Sequence, residues 1–444
     1  MNILVIGASK SGKAAAILAK KLGHEVFVSE LQNAEKFKDT IQEFNQNSID
    51  YEFGINSLDH LNGIDLIITS PGVPREADIL VKAQKQGIEI ISEIEFAYRN
   101  CDNPIIAITG TNGKTTTTAL IEFILKVGGK KAVAAGNIGL PFSDLIGKLE
   151  KDEIVVLEIS SYQLDRIKYF HPKVAIITNI TPDHLKYHKT MEDYVETKWK
   201  ISSNQNENDL LILNYDDLIL RNNPVVKSKV EYFSVDSQAG GAFFRDGKII
   251  LLNQQQKEEE LMLVQQLSLP GKHNLYNSLA AIIATRAFEI SNEDIRDALS
   301  RFEGVNHRLE PVRVINGIKF INDSKATNVN STWYALSSFN APIIWIAGGR
   351  GDNNNYDELD EYVASNVKKI ICIGEEADNI AKHFCSFKEC VKFDTLEEAV
   401  YDAFISASEN DVVLFSPACK SFDMFSNFEH RGDVFKDIVN KLVS

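Results

Sequence analysis

The residues best suited to chemistry are Gly110-Thr111-Asn112-Gly113-Lys114-Thr115-Thr116. Two glycines let successive backbone N–H groups turn toward one anion, a lysine then neutralises phosphate charge, and the Thr115 hydroxyl can bind Mg²⁺. An apolar run, Ile105 to Ile108, precedes the loop and a helical pattern from Lys114 to Lys126 follows it. The spacing G-x-x-G-K-T is shorter than the common G-x-x-x-x-G-K-[ST], yet each part of a triphosphate cradle is present, and ATP is the expected ligand. A threonine-capped helix would account for Thr109 or Thr111 and leave Lys114 and Thr115 without a reason.

A second glycine loop, Gly7-Ala8-Ser9-Lys10-Ser11-Gly12-Lys13-Ala14, has P-loop spacing, but Ala14 replaces the metal-binding hydroxyl. As a dinucleotide fingerprint it is also incomplete, because Ser9 replaces the glycine that lets pyrophosphate approach. Two readings stand side by side. One is a tight strand-to-helix turn that needs Gly7; the other is a site for a different nucleotide, with phosphate at the helix N-terminus and Glu30 near a ribose or base.

The elements that must carry these loops are legible from periodicity. Ile3 to Ile6, Val26 to Val28, Leu66 to Ile68 and Ile88 to Ile91 read as strands, with helical patterns between them that include Ala77 to Gln86. After the polar break at Arg99 to Pro104 the pattern restarts. Strands are expected at Ile154 to Leu157 and Val174 to Ile177, and a β-rich stretch from 230 to 265. A third series follows Gly304, with strands at Ile343 to Ala347, Ile370 to Ile373 and Val412 to Phe415 and a helix from Glu397 to Ser408. The run Gln254 to Glu260 reads as an exposed loop. The expectation is an α/β protein of three domains: Rossmann-like 1–99, P-loop ATPase-like mixed α/β 100–304, and Rossmann-like 305–444.

Composition narrows the function classes. The 444 residues are 44% hydrophobic and 25% charged, as in a globular protein. A net charge of −15 argues against nucleic-acid or membrane-surface partners. Cys101, Cys372, Cys385, Cys390 and Cys419 contain no C-x-x-C pair and are expected to be reduced and buried. No signal-peptide pattern and no membrane-length apolar run occurs, which points to the cytoplasm.

The loop Thr109 to Thr116 resembles the ATP loop of the Mur ligase and folylpolyglutamate synthase superfamily. Gly136-Asn137-Ile138-Gly139, Glu158 to Leu164, Asn179-Ile180-Thr181-Pro182-Asp183-His184-Leu185 and Gly271-Lys272-His273-Asn274 resemble its central-domain signature. Asn322 to Asn328, Ser416 to Phe425 and Asn427 to Gly432 are most similar to its D-glutamate-adding Mur ligase branch. The resemblance implies a monomeric ATP-dependent amide ligase of peptidoglycan synthesis. ATP would phosphorylate the carboxylate of UDP-N-acetylmuramoyl-L-alanine, and the D-glutamate amine would then displace phosphate from the acyl phosphate.

The same resemblance assigns residues. Lys114 and Lys325 would meet the anions, Thr115 and Glu158 hold one Mg²⁺, and His184 help hold a second. Lys198 matches a lysine that CO₂ converts to a carbamate, a metal-binding anion, which requires a neutral amine. By spacing alone Lys200 is a rival, and either could be an exposed helix lysine. Asn137, Asn277, His307 and Asp323 match positions near adenine and ribose, where capping or turn formation is the alternative. Arg308 suits a phosphate. Lys10, Ser11, Glu30, Ser70 and Gly72 would receive the UDP-substrate, with Asn137 and Ser160 on the same side. Thr327, Lys325, Ser421 and Phe428 would receive D-glutamate. The family's Gly-Gly segment usually precedes a lysine; here it reads Gly348-Gly349-Arg350-Gly351-Asp352-Asn353, and Arg350 is the candidate replacement in a different register.

Three other readings compete. A folylpolyglutamate synthase would usually lack the N-terminal βαβ series. A NAD-dependent oxidoreductase would leave Lys114, Glu158 and Lys198 unexplained, and a non-catalytic nucleotide-binding protein would bind ATP without releasing phosphate.

Overall fold

Each apolar run expected to be a strand is one, because runs of β-branched residues buried on both faces suit a parallel sheet covered by helices. The computed structural model describes residues 1–222, 226–252, 257–351 and 354–443. The first sheet is all parallel, in the order Asp50–Phe53, Glu25–Glu30, Asn2–Ile6, Leu66–Thr69, Glu89–Ser92. The second has nine strands: Glu258–Leu263, Lys248–Leu252, Ala242–Arg245, Lys229–Ser234, Leu210–Asn214, Val174–Ile177, Ile105–Thr109, Ile154–Glu158, Ala132–Gly136. Its last seven strands are parallel and the first two add antiparallel ribbons. The third runs Glu310–Ile315, Ile318–Asn322, Val412–Phe415, Ile343–Gly348, Val367–Ile373, Glu389–Phe393, antiparallel only at its first pair.

The chain divides into two compact units, one of residues 1–268 and 274–302, the other of 269–273 and 303–444. The first unit holds two sheets, and a polar seam joins them. Buried Glu95 accepts backbone N–H groups of Lys168, Tyr169 and Phe170 at 2.9, 3.0 and 3.0 Å, and Arg99 spans Glu89 and Glu95. Nearby Glu93 is fully enclosed. Its Oε1 accepts the Ser143 N–H at 2.6 Å, while Oε2 has no hydrogen-bond partner among the described residues.

Burial pushes the Glu93 carboxyl up to about 7, against the Ser143 amide that favours the ion. The folded chain therefore keeps a proton that the unfolded chain loses near pH 4.3, so stability drains as pH rises from roughly that value to about 7. Glu93→Gln is expected to be more stable than wild type at pH 8, by up to about 3 kcal/mol, and nearly equal at pH 4.5. Equal melting temperatures at both pH values would refute this.

Two expectations need correction. Glu258–Leu263 is a strand rather than loop, because Leu261 and Met262 are buried while Glu258 and Glu260 pair with Arg245 and Lys248 across the ribbon. Gln254, Gln255 and Gln256 lie outside the described residues, as do Asp352 and Asn353. The cysteines are free, but only Cys372 and Cys419 are buried; Cys385 is exposed, since it caps the helix Ala377–Phe384 at its solvent end. Among the described residues no helix is long and apolar enough to cross a membrane.

Candidate active site

The strand Ile105–Thr109 delivers the loop, and helix Lys114–Val127 leaves it. Gly113, the helix N-cap, has φ +84°, a left-handed backbone that side chains resist. A Cβ there would lie 2.4 Å from Asn277 Oδ1, and one at Gly110 would lie 1.9 Å from the Thr178 hydroxyl. Both glycines are thus required by space. The loop is held by its neighbours: Thr111 N–H donates to Asn179 O at 2.8 Å and Asn112 N–H to Asn179 Oδ1 at 2.9 Å. The Thr178 hydroxyl donates to Asn112 O at 2.6 Å, and the Thr111 hydroxyl lies 3.1 Å from Tyr194 Oη. A loop so tethered is held in shape before any anion arrives, and with two of its amides donating to Asn179 the anion is left to the N–H groups at the start of the helix. Thr116 is buried one residue further into the helix.

Lys114 Nζ folds back onto the Gly110 and Thr111 carbonyls at 3.0 and 2.8 Å. Beside it the Thr115 hydroxyl donates to Glu158 Oε2 at 2.8 Å, and Asn137 Nδ2 donates to Oε1 at 2.9 Å. Glu158 ends its strand next to Ile108, 1% exposed. A hydroxyl and a carboxylate this close are hard oxygen donors, and this pair fits Mg²⁺.

Lys198 is buried under the loop, with Nζ 2.8 Å from Gly110 O and 4.5 Å from the Tyr194 ring centre. Burial, joined by the Lys114 ammonium, drives its pKa well below the ordinary lysine value, while Asp183 opposes. Lys200 points elsewhere, to Asp165 O at 2.8 Å and Oδ1 at 3.1 Å. The two rivals therefore differ sharply. Only Lys198 sits against the phosphate loop as an amine biased toward neutrality, the form that combines with CO₂.

His184 has φ +55° and caps the short helix Leu185–His188. Its ring lies 5.0 Å from that of Tyr162 and 6.5 Å from that of Tyr194, with Nδ1 3.4 Å from Asp183 Oδ1. Asn277 Oδ1 accepts the Thr117 hydroxyl at 3.2 Å, so this asparagine backs the loop's helix. Ser160 forms a capping box with Gln163, the bland role open to any serine before a helix.

At the first loop, Glu30 is committed to backbone. Its Oε2 accepts Ala8 N–H and its Oε1 accepts Gln32 N–H, both at 2.8 Å. A Cβ on Gly7 would lie 2.7 Å from Ser70 Oγ, so Ser70 closes on the turn. Lys10 and Gly72 are exposed and Ser11 half-buried at the carboxyl edge of the sheet, where ligands of open α/β folds bind.

Most of the second unit's candidates follow the carboxyl ends of the interior strands Ile318–Asn322, Val412–Phe415 and Ile343–Gly348. His307 has φ +62° and donates its N–H to Glu310 Oε2 at 2.8 Å; its Nδ1 lies 3.0 Å from Asn322 Nδ2. Asp323 accepts Leu309 N–H at 3.1 Å and the Ser416 hydroxyl at 2.8 Å. Burial pushes Asp323 up to about 6, and the Arg308 charge opposes. Lys325 Nζ lies 5.3 Å from the Phe428 ring centre, and its N–H donates to His307 O at 3.0 Å. Thr327 N–H donates to Lys325 O at 2.9 Å, and Ser421 is buried. Arg350 pairs with Glu375 at 2.8 Å and is 48% exposed, so its guanidinium is engaged at the surface.

Family models match all three parts of the chain: Mur ligase MurD-like, N-terminal domain at residues 1–92, Mur ligase middle domain at 108–285, and Mur ligase, glutamate ligase domain at 307–419. A chain of Caldicellulosiruptor bescii named UDP-N-acetylmuramoylalanine–D-glutamate ligase is 44% identical over 100% of this chain and 98% of its own. A chain of Salinibacter ruber with that name is 42% identical over 99% and 97%. The chain belongs to the Mur ligase family. In fold this Mur ligase is similar to UDP-N-acetylmuramate-alanine ligase MurC of Thermotoga maritima, at TM-score 0.62, 22% identity and 99% coverage of each. It is also similar to a MurF ligase of the same organism in complex with ADP, at TM-score 0.60, 18% identity, and 94% and 95% coverage.

Sequence reasoning assigned no role to several residues that hold the candidate site together. Asn179 stood in the motif Asn179 to Leu185 without a role, while Thr178, just past a buried strand, and Tyr194, on helix Met191–Trp199, carried no signal; all three tether the loop. Arg431 is 1% exposed and donates to Ser324 O at 2.7 Å and Cys419 O at 3.0 Å, joining the two C-terminal motifs. Burial draws it down to about 10.

Proposed function

We propose that this Mur ligase joins D-glutamate to UDP-N-acetylmuramoyl-L-alanine at the expense of ATP. The observation that carries the reading is the single cluster of Lys114, Thr115, Glu158 and Lys198 around the loop 110–113. Full-length identity near 40% with D-glutamate ligases supports the choice of substrates. The N–H groups at the start of helix Lys114–Val127 and the Lys114 ammonium bind the triphosphate and neutralise charge as the substrate carboxylate oxygen attacks the γ-phosphorus, releasing ADP. The D-glutamate nitrogen then attacks the acyl carbon, loses a proton, and the C–O bond to phosphate breaks.

Thr115 and Glu158 are the residues that would hold Mg²⁺, which supplies charge neutralisation for two anions brought together. His184 and a carbamate on Lys198 are the proposed holders of a second ion. We assign residues 1–99 to the UDP-substrate through Lys10, Ser11, Ser70 and Gly72, with Glu30 shaping the turn. Residues 100–304 take ATP, and 305–444 take D-glutamate through Lys325, Thr327, Ser421 and Phe428. Arg308, His307 and Asp323 are assigned to the nucleotide.

The test is phosphate release with ATP and UDP-N-acetylmuramoyl-L-alanine, comparing D-glutamate with L-glutamate, L-lysine and diaminopimelate. Release with D-glutamate alone is expected. Activity confined to another amine would reject the assignment.

A further inference from the structure

Arg75 lies three residues beyond Gly72, on the loop that follows strand Leu66–Thr69. Its guanidinium forks onto Asp165, with Nε to Oδ2 at 2.7 Å and Nη2 to Oδ1 at 2.8 Å. Nη1 donates to Asp193 Oδ2 at 2.5 Å, Nη2 lies 3.4 Å from Thr197 Oγ1, and the Tyr187 ring stacks at 5.0 Å. Asp165 follows the short helix Ser161–Leu164, just after Glu158, and is also approached by Lys200 at 3.1 Å. Asp193 and Thr197 lie on helix Met191–Trp199, the helix that presents Lys198 to the loop.

One side chain thus ties the segment bearing Ser70 and Gly72 to the two segments bearing Glu158 and Lys198. A planar fork with two carboxylates fixes orientation as well as distance, which a lysine cannot do. The side chains are 26% exposed for Arg75 and 9% for Asp165, so solvent screening is partial.

We propose that Arg75 is a positioning residue, registering the sugar-nucleotide loop against the Lys198 helix so that the substrate's carboxylate meets the γ-phosphate. The inference rests on the function proposed above. Binding energy at the UDP end accelerates chemistry at the other end only when the two anchors are held in register.

The experiment measures kinetics of Arg75→Met and Arg75→Lys beside wild type, at a temperature where melts show each folded. Arg75→Met is expected to raise KM for UDP-N-acetylmuramoyl-L-alanine and lower kcat, by about 10- to 100-fold in their ratio, with KM for ATP unchanged. Arg75→Lys should recover part of the loss. A fall in kcat alone with both KM values fixed, as from a shrinking folded fraction, overturns the proposal, and so does wild-type behaviour. If Arg75→Met does not fold, Asp193→Asn, which removes one arm, must show the same split in smaller degree. Wild type inactive on these substrates would reject the function itself.

Discussion

Lys198→Ala is expected to lower kcat by about a hundredfold to a thousandfold, the scale of losing one organised charge from a water-poor site. The residue is enclosed, and its amine donates to the Gly110 carbonyl at 2.8 Å. An enclosed ammonium beside Lys114 is costly, which biases the group toward the neutral amine. As a neutral amine it can take CO₂, turning a repelled cation into an anion beside the phosphate loop. If the proposed carbamate is the working form, alanine removes it and leaves space, so formate or acetate should restore part of the activity. Lys200→Ala, whose amine is spent on Asp165, should not respond to added carboxylate. Full activity of Lys198→Ala, or equal rescue of both variants, would refute the role.

Lys114→Met should lower kcat/KM by about a hundredfold to a thousandfold as well, by leaving the triphosphate charge without its nearest ammonium. A second effect follows from geometry. Lys114 and Lys198 share the Gly110 carbonyl, and Lys114 is the neighbouring charge that depresses Lys198. Removing it lets Lys198 hold its proton more tightly, so Lys114→Met should need more bicarbonate for half-maximal activity than wild type. The double variant should cost much less than the product of the singles, as for residues that act as a unit. Additive losses with unchanged bicarbonate dependence would show that the lysines act independently.

Much of this was legible in the sequence where one local rule decides the outcome. Ile105 to Ile108, Gly113 and Lys114 follow from burial, a left-handed turn and phosphate charge, and the structure places them as strand, N-cap and helix start. The half-exposed strand Asp50–Phe53 and the alanine-rich edge strand Ala132–Gly136 escaped, because neither shows the apolar alternation that marks a strand. At the site, Lys114, Thr115 and Glu158 were visible as types at spacing. What spacing could not reach was direction: that Lys198 faces the loop while Lys200 faces Asp165, that Glu30 holds Ala8 and Gln32, and that Arg350 pairs with Glu375. Arg75 was silent for the same reason. Its partners are 90 and 118 residues away, and no local pattern links them.

The central claim is that phosphate passes through the substrate's own carboxylate. UDP-N-acetylmuramoyl-L-alanine labelled with ¹⁸O in its alanyl carboxylate, incubated with ATP, D-glutamate and enzyme, tests it by mass spectrometry of the released phosphate. One ¹⁸O per phosphate is the predicted result; phosphate free of label, with amide product formed, would contradict the account.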